Sequence, residues 1–163
     1  MGGLEADQDP QSVMKYLGMR DCQITPEEFR QILRGGLPSG EAMNFDIVTL
    51  ERGHAALLLR THAKDLRPGG TVAGPVLFAL ADLAMFAAVL SVVGSVPMAV
   101  TTDATVHFLR RPPPGNLLAR ARLLKHGLRL LVGEISIAHE EQADVPVAHV
   151  VMTYAVPPVR STS

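Results

Sequence analysis

The order of apolar and polar residues divides the chain into two helical and six strand-like segments. Thr25-Pro26-Glu27-Glu28 is typical of a helix start, because a threonine cap, a first-turn proline and first-turn acids stabilise a helix N-terminus. This short helix is predicted to end at Gly35-Gly36, and a long helix is predicted from Gly74. Strands are predicted at 43–51, 54–61, 98–109, 116–126, 128–139 and 145–156.

The long apolar run from Gly74 to Gly94 is apolar on nearly every side, so the rest of the chain is expected to surround it. One antiparallel sheet curled around one buried helix satisfies this requirement, which predicts an α+β fold. The run also approaches the length of a membrane span. A central carboxylate, a high alanine content and the lack of basic flanks argue against a span, so no membrane contact is expected.

Length and composition predict one soluble domain. The 163 residues are divided into a flexible arm (1–25), a single domain (26–156) and a tail (157–163). A net charge of -1 carries no sign of nucleic-acid binding. One cysteine, Cys22, excludes an internal disulfide, and the acidic start lacks the apolar run of a signal peptide. A cytoplasmic location is therefore expected.

Asp82 is the only charged residue of the long helix. An unpaired buried carboxylate is costly, and a glycine-rich loop that opens a helix offers free N–H groups to an oxygen. A base near an oxyanion site indicates hydrolysis. However, the eight residues from Gly74 to Asp82 span about 12 Å of helix, too far for both to act on one carbonyl. The sequence therefore predicts a site shared by two antiparallel copies of the helix.

Other catalytic patterns are missing from the sequence. The six histidines do not have metal-ligand spacing, and no Gly-x-Ser-x-Gly segment, phosphate loop or dinucleotide fingerprint is present. Cys22 lies in the polar arm, which is a poor place for a protected nucleophile. Neither a metal nor another cofactor is expected.

Three segments together resemble the hotdog-fold thioesterases, in particular the small acyl-CoA thioesterases typified by the phenylacetate-pathway enzyme. They are Ala73-Gly74-Pro75 with Leu80-Ala81-Asp82, the strand from Val100 to Arg110, and Leu124 to Arg129. The resemblance covers about residues 43–156. It implies a hotdog fold, an acyl-CoA substrate, and a homodimer or homotetramer with active sites at the subunit interface.

The resemblance also implies roles for single residues. Asp82 would be the general base that activates water, or a nucleophile, and the Gly74 N–H would polarise the thioester carbonyl. Thr101 would orient the attacking water. Strand alternation nevertheless places Thr101 opposite the apolar face, where it could reach a site only at a subunit boundary. An exposed threonine with good strand propensity is the alternative.

Substrate contacts are expected on both sides of the oxyanion donor. Ala73 replaces the family's histidine, and Arg67 stands where an asparagine is common. Arg67 is expected either to bind a carboxylate or CoA phosphate, or to be a solvated loop residue. Pro75 and Phe78 are expected against the substrate, and Phe78, Met85 and Phe86 suggest an apolar or aromatic acyl group.

Lys125 and Arg129 flank Gly127 at a predicted turn. Cations at strand ends suit the phosphates of CoA, although surface cations also serve solubility. Two functions other than hydrolysis stay open. Ala73 and Arg67 also fit a hotdog protein that binds an acyl thioester without cleaving it. A hotdog dehydratase fits less well, because no histidine lies between His62 and His107.

Overall fold

A computed structural model describes residues 21–36 and 43–158. The helices are α1 (Pro26–Gly36) and α2 (Gly74–Val93), with 3-10 turns at Ala63–Asp65 and Glu140–Gln142. The strands are β1 (Phe45–Glu51), β2 (His54–Leu59), β3 (Leu66–Arg67), β4 (Thr71–Val72), β5 (Val100–Phe108), β6 (Leu117–His126), β7 (Leu130–His139) and β8 (Pro146–Ala155). Each predicted helix and long strand is present, with ends shifted by a few residues at most.

The long strands form one antiparallel sheet in the order β1-β2-β6-β7-β8-β5, and α2 packs against one face of it. This arrangement confirms the predicted α+β hotdog fold. Sequence reasoning missed the two-stranded hairpin β3-β4 in the glycine-rich loop. Gly69 and Gly70 turn this hairpin with φ angles of 100° and 75°, a region that glycine enters without a steric penalty.

Helix α2 is the core of the domain. Its mean hydropathy of 2.5 and its 20 residues satisfy the criteria for a membrane span. Most of its side chains, from Leu77 to Val92, are nevertheless buried within the chain itself, as is typical of a core helix. Gly133 on β7 shows how closely α2 packs against the sheet. A Cβ there would lie 2.6 Å from Met85 Sδ, so the helix and sheet can approach only because that position has no side chain.

Helix α1 covers one flank of α2. Phe29 and Leu33 are buried, and the Phe29 ring lies 5.9 Å from the ring of Phe86. Just before α1, the N–H of Gln23 donates to Ser91 O at 2.8 Å and Ile24 is buried. The packed core therefore includes residues N-terminal to α1. Residues 1–20 of the predicted arm (1–25) and residues 159–163 of the predicted tail (157–163) lie outside the described residues.

Strand β5 is an edge of the sheet, paired only with β8 in the part of the chain that the structure describes. Large apolar side chains on and beside it are exposed: Met98, Val100, Phe108 and Leu109. An exposed, apolar edge strand is a ready template for pairing with another chain.

Candidate active site

The Asp82 carboxylate is held by two hydroxyl groups. Thr101 Oγ1 donates to Asp82 Oδ1 at 2.5 Å, and the Tyr154 hydroxyl donates to the same oxygen at 2.7 Å. The Tyr154 hydroxyl also lies 3.2 Å from the backbone oxygen of Asp82. Asp82 Oδ2 has no hydrogen bond to any residue that the structure describes. The carboxylate is thus fixed through one oxygen, and the other is available to water or substrate.

Strand register brings the two hydroxyls together. Thr101 on β5 and Tyr154 on β8 are directly paired, and paired residues point to the same face of a sheet. A register shift between Thr101 and Asp103 makes Thr102 an extra residue, a β-bulge. The bulge reverses the alternation, so Thr101 faces α2 within its own chain. The prediction that Thr101 faces away from the core is therefore wrong, because strict alternation fails at a bulge.

Tyr154 is the site residue that sequence reasoning missed. Burial, and next the negative charge of Asp82, raise the pKa of its hydroxyl far above the usual value. The group therefore stays protonated and acts as a hydrogen-bond donor at any physiological pH. A signal was present in the sequence, because Val150, Met152 and Tyr154 alternate on one face of the last strand, which places a hydroxyl among core positions.

An apolar cavity of about 300 Å³ opens beside Asp82. Its lining joins α1, α2 and the start of β5: Ile32, Gly36, Met43, Ala79, Asp82, Leu83, Phe86, Pro97, Ala99, Val100, Thr101 and Tyr154. Asp82, Thr101 and the Tyr154 hydroxyl are its polar groups. A mostly apolar pocket with a few convergent polar groups is typical of a small-molecule site.

The three residues expected to form the acyl pocket are separated in the structure. Phe86 lines the cavity and stacks on Tyr154 with ring centroids 6.0 Å apart. Met85 is fully buried against β7, on another side of α2. Phe78 is 39% exposed on the outer surface and does not line the cavity.

The Gly74 N–H is a free donor at the start of α2. Ala73, the N-cap residue, has an extended conformation and no side-chain cap, and Pro75 has no N–H. The N–H groups of Val76 and Leu77 both donate to Ala73 O, whereas that of Gly74 has no partner among the described residues. A positive helix end with one free donor suits a developing oxyanion. The ring of Phe108 lies over this position, 3.3 Å from where a Cβ would stand.

The other predicted substrate contacts lie at two ends of the domain. Arg67, on β3, is exposed beside the N-terminal end of α2, where Pro75 lines a second cavity. Lys125 lies at the opposite end, in a surface cavity with Arg52, His54 and Val92 near the last turn of α2. Arg129 is exposed in the β6–β7 turn. Within one chain the structure therefore does not bring Lys125 and Arg129 to Gly74.

Among the described residues no group of three or more acidic, histidine or cysteine side chains could hold a metal ion. The chemistry that the described site can supply comes from a fixed carboxylate, two hydroxyl donors and a helix N-terminus. Asp82 and Gly74 lie on the central helix, and the two hydroxyl donors lie on the sheet that packs against it; this arrangement is the one expected of the hotdog thioesterase class.

Comparison with known proteins agrees with that class. The sequence model of the thioesterase superfamily matches residues 69–146. A candidate thioesterase from a Silicibacter species is 38% identical, with a TM-score of 0.73, over 86% of this chain and 96% of its own. No curated protein matches the sequence. The chain belongs to the thioesterase superfamily.

Two further structures show how widely this fold is shared. A variant of the phenylacetic acid degradation protein PaaI from Thermus thermophilus is 26% identical, with a TM-score of 0.65, and 74% of this chain and 99% of that one are covered. The smu.793 protein of Streptococcus mutans, bound to acetyl CoA, is 24% identical, with a TM-score of 0.62, over 72% and 92% of the two chains. The likeness to smu.793 supports the fold alone.

Proposed function

We propose that this protein hydrolyses acyl-CoA thioesters, with Asp82 as the catalytic base. The observation that carries the proposal is the Asp82 carboxylate, fixed through one oxygen by Thr101 and Tyr154 and facing an apolar cavity of about 300 Å³. A fixed base beside an acyl-sized cavity is what thioester hydrolysis needs. The Streptococcus mutans protein of the same fold was solved with acetyl CoA bound, and CoA is the carrier proposed for this chain.

In the proposed reaction Asp82 Oδ2 takes a proton from a water molecule as the water oxygen attacks the thioester carbonyl. The resulting oxyanion accepts a hydrogen bond from a Gly74 N–H. The intermediate then collapses, the carbon–sulfur bond breaks, and the proton on Asp82 passes to the leaving thiolate. A direct attack by Asp82 would give the same products through an acyl-enzyme that water then cleaves.

The two halves of this site are proposed to come from different subunits. Gly74 and Asp82 are eight residues apart on one helix, about 12 Å along its axis. A second α2, antiparallel across a two-fold axis, would bring its Gly74 to this Asp82. The exposed apolar edge of β5 supports such a homodimer, alone or within a tetramer.

The CoA carrier is proposed to be bound by cations outside the apolar cavity. Arg67 lies on the loop that leads into Gly74, so it is suited to a phosphate or carboxylate of the substrate. Lys125 and Arg129 lie at the opposite end of their own chain. In an antiparallel pair of helices that end would lie toward the partner's Gly74, so these two cations would act on the partner's substrate.

The test is hydrolysis of a panel of acyl-CoAs, from short aliphatic to aryl, by the wild-type protein and Asp82→Asn. Thiol release is followed with a chromogenic trap. Asparagine keeps an oxygen that can accept from Thr101 and Tyr154, so the fold should survive and circular dichroism can verify it. We expect kcat to fall by about 10²–10⁴-fold, the usual contribution of a general base.

Each result has a clear meaning. Equal turnover by Asp82→Asn and the wild type would remove Asp82 from the mechanism. Binding of acyl-CoAs without any turnover would favour a thioester-binding protein, the alternative that Ala73 raises by placing a methyl group where the family has an imidazole.

A further inference from the structure

Two cavities meet at one flexible side chain. The cavity beside Asp82 and a second one of about 210 Å³ are both lined by Met43 and Ala79, and by no other shared residue among those described. These two residues therefore form the partition between the cavities. Ala79 belongs to α2, whose backbone is fixed in the core, whereas Met43 is half-buried just before β1.

The first cavity by itself suits a compact acyl group. Its volume of about 300 Å³ is roughly twice that of an engineered cavity of ~150 Å³ that binds benzene. One aryl ring with a short linker, or a short aliphatic chain, would occupy it. A longer chain would meet the partition.

The second cavity could take the continuation of a longer chain. Leu59, Pro75 and Val76 give it apolar walls. Hydrogen bonds fix its polar wall. Asn44 Nδ2 and His62 Nε2 lie 3.0 Å apart, and the backbone N–H of His62 donates to Asp65 Oδ2 at 2.7 Å. Among the described residues, Met43 and Ala79 are the ones that lie between this space and the cavity beside Asp82.

The partition is built from a side chain that can move. Methionine has three rotatable bonds and no branch, so it can adopt other rotamers at little cost. Replacing it by a smaller side chain would join the two cavities, and replacing it by a larger rigid one would close the first cavity further.

We infer that Met43 determines the length of the acyl group that this site accepts, as the partition between the Asp82 cavity and the second cavity. The inference rests on the proposed function, since it requires the acyl group to extend from Asp82 into the first cavity. Met43 is a specificity residue in this scheme and takes no part in the chemistry.

The experiment measures binding, so it does not depend on turnover. Dissociation constants are determined for S-alkyl-CoA thioethers from butyl to dodecyl, with the wild-type protein, Met43→Ala and Met43→Phe. Each buried methylene is worth about fourfold in affinity. We therefore expect Met43→Ala to favour the longest over the shortest thioether by more than about tenfold relative to wild type, and Met43→Phe to shift the preference toward short chains.

Leu128→Ala is the matched control, because it also shortens an apolar side chain but at a fully exposed position. Its length profile should equal that of the wild type. If Met43→Ala does not fold, the opposite shift in Met43→Phe still decides the matter. An unchanged length profile in variants that bind butyl-CoA normally would overturn the role of Met43 while leaving the proposed function intact. No binding of any thioether by the wild type would overturn both.

Discussion

At the scale of single residues, the proposed role of Asp82 depends on which of its two carboxylate oxygens accepts hydrogen bonds. Thr101 and Tyr154 both donate to Oδ1, and hydrogen bonds to a charged group are each worth about 1.5–3 kcal/mol. They hold the carboxylate in one orientation without neutralising it, since neither donor is a cation. Oδ2 can therefore accept a proton. A salt bridge to lysine or arginine would oppose this protonation, because it would stabilise the charged carboxylate.

The proposed oxyanion role of Gly74 can be tested by replacing its N–H with the ring nitrogen of a proline. Proline is well tolerated at the first helical position, and Ala73 already has the extended conformation, with ψ of 142°, that a following proline requires. Gly74→Pro should therefore fold but lack the N–H. We expect kcat for the preferred acyl-CoA to fall by about 10²–10³-fold, the usual cost of losing one oxyanion donor.

Gly74→Ala separates the lost donor from the added bulk. Alanine introduces the same Cβ, 3.3 Å from the tip of the exposed Phe108 ring, which can move aside, and it keeps the N–H. It should retain most of the activity. If both variants lose activity equally in steady-state assays, crowding rather than the donor explains the loss.

Sequence reasoning identified the site residues whose type is unusual for their position. Asp82 is the one charge in an apolar helix, and Gly74 precedes a proline at the start of that helix, so each was visible without a structure. Tyr154 was missed because a tyrosine in a strand is ordinary. Its importance comes from its pairing with Thr101, a contact between positions 53 residues apart in sequence that no local pattern shows.

At the scale of elements, α1 has an N-terminal cap that depends on pH. Thr25 N and Thr25 Oγ1 both donate to Glu28 Oε2 at 2.8 Å, and the N–H of Glu28 lies 3.2 Å from Thr25 Oγ1. The backbone hydrogen bond from Thr25, and next its hydroxyl, lower the pKa of Glu28. A carboxylate with a lowered folded-state pKa stabilises the fold above its ordinary pKa and loses that effect as the pH falls through the folded value.

The thermal midpoint of the wild type should therefore fall more steeply with acid than that of Glu28→Gln. The ordinary pKa of Glu28 is about 4.5, so the difference between the two proteins should develop at and below that pH. Other carboxylates, such as Glu134 with Arg122 and His149, contribute equally to both proteins and cancel. Thermal unfolding by circular dichroism from pH 7 to pH 3 measures this.

Glu27→Gln is the control, because Glu27 is in the same helical turn but has no hydrogen bond to the cap, and its ion pair with Arg34, 3.6 Å long and between two exposed side chains, contributes little to stability. It should follow the wild type in the acid range. Identical pH profiles for Glu28→Gln and the wild type would mean that the cap contributes nothing to stability.

Strand β5 explains why the helices and strands were easier to predict than the site. Apolar alternation predicted the strand and correctly placed Ala104 and Val106 against the core. The bulge at Thr102 changes the face of the residues before it. Bulges are set by the fit of neighbouring strands, so the inward turn of Thr101 follows from the sheet and not from its own sequence.

At the scale of the whole molecule, one chain has the proposed base and the proposed oxyanion donor about 12 Å apart on the same helix. It also has an edge strand whose apolar side chains are exposed and whose outer side is unpaired in the described part of the chain. One two-fold axis would account for both features. It would pair the exposed edge of β5 with its copy, and it would place the two α2 helices antiparallel, so that Gly74 of one subunit lies near Asp82 of the other. A stable, active monomer in solution would contradict this arrangement.

The decisive experiment combines two inactive variants. A homodimer of Asp82→Asn has no base in either site, and a homodimer of Gly74→Pro has no oxyanion donor in either site. If each site takes Asp82 from one subunit and Gly74 from the other, a mixed dimer contains one site with both changes and one site with neither. Unfolding and refolding the two proteins together in equal amounts should give half mixed dimers, and hence about a quarter of the wild-type activity. Sites contained within single chains would stay inactive in every combination, so the absence of any recovery, with mixed dimers verified by mass spectrometry, would contradict the shared site.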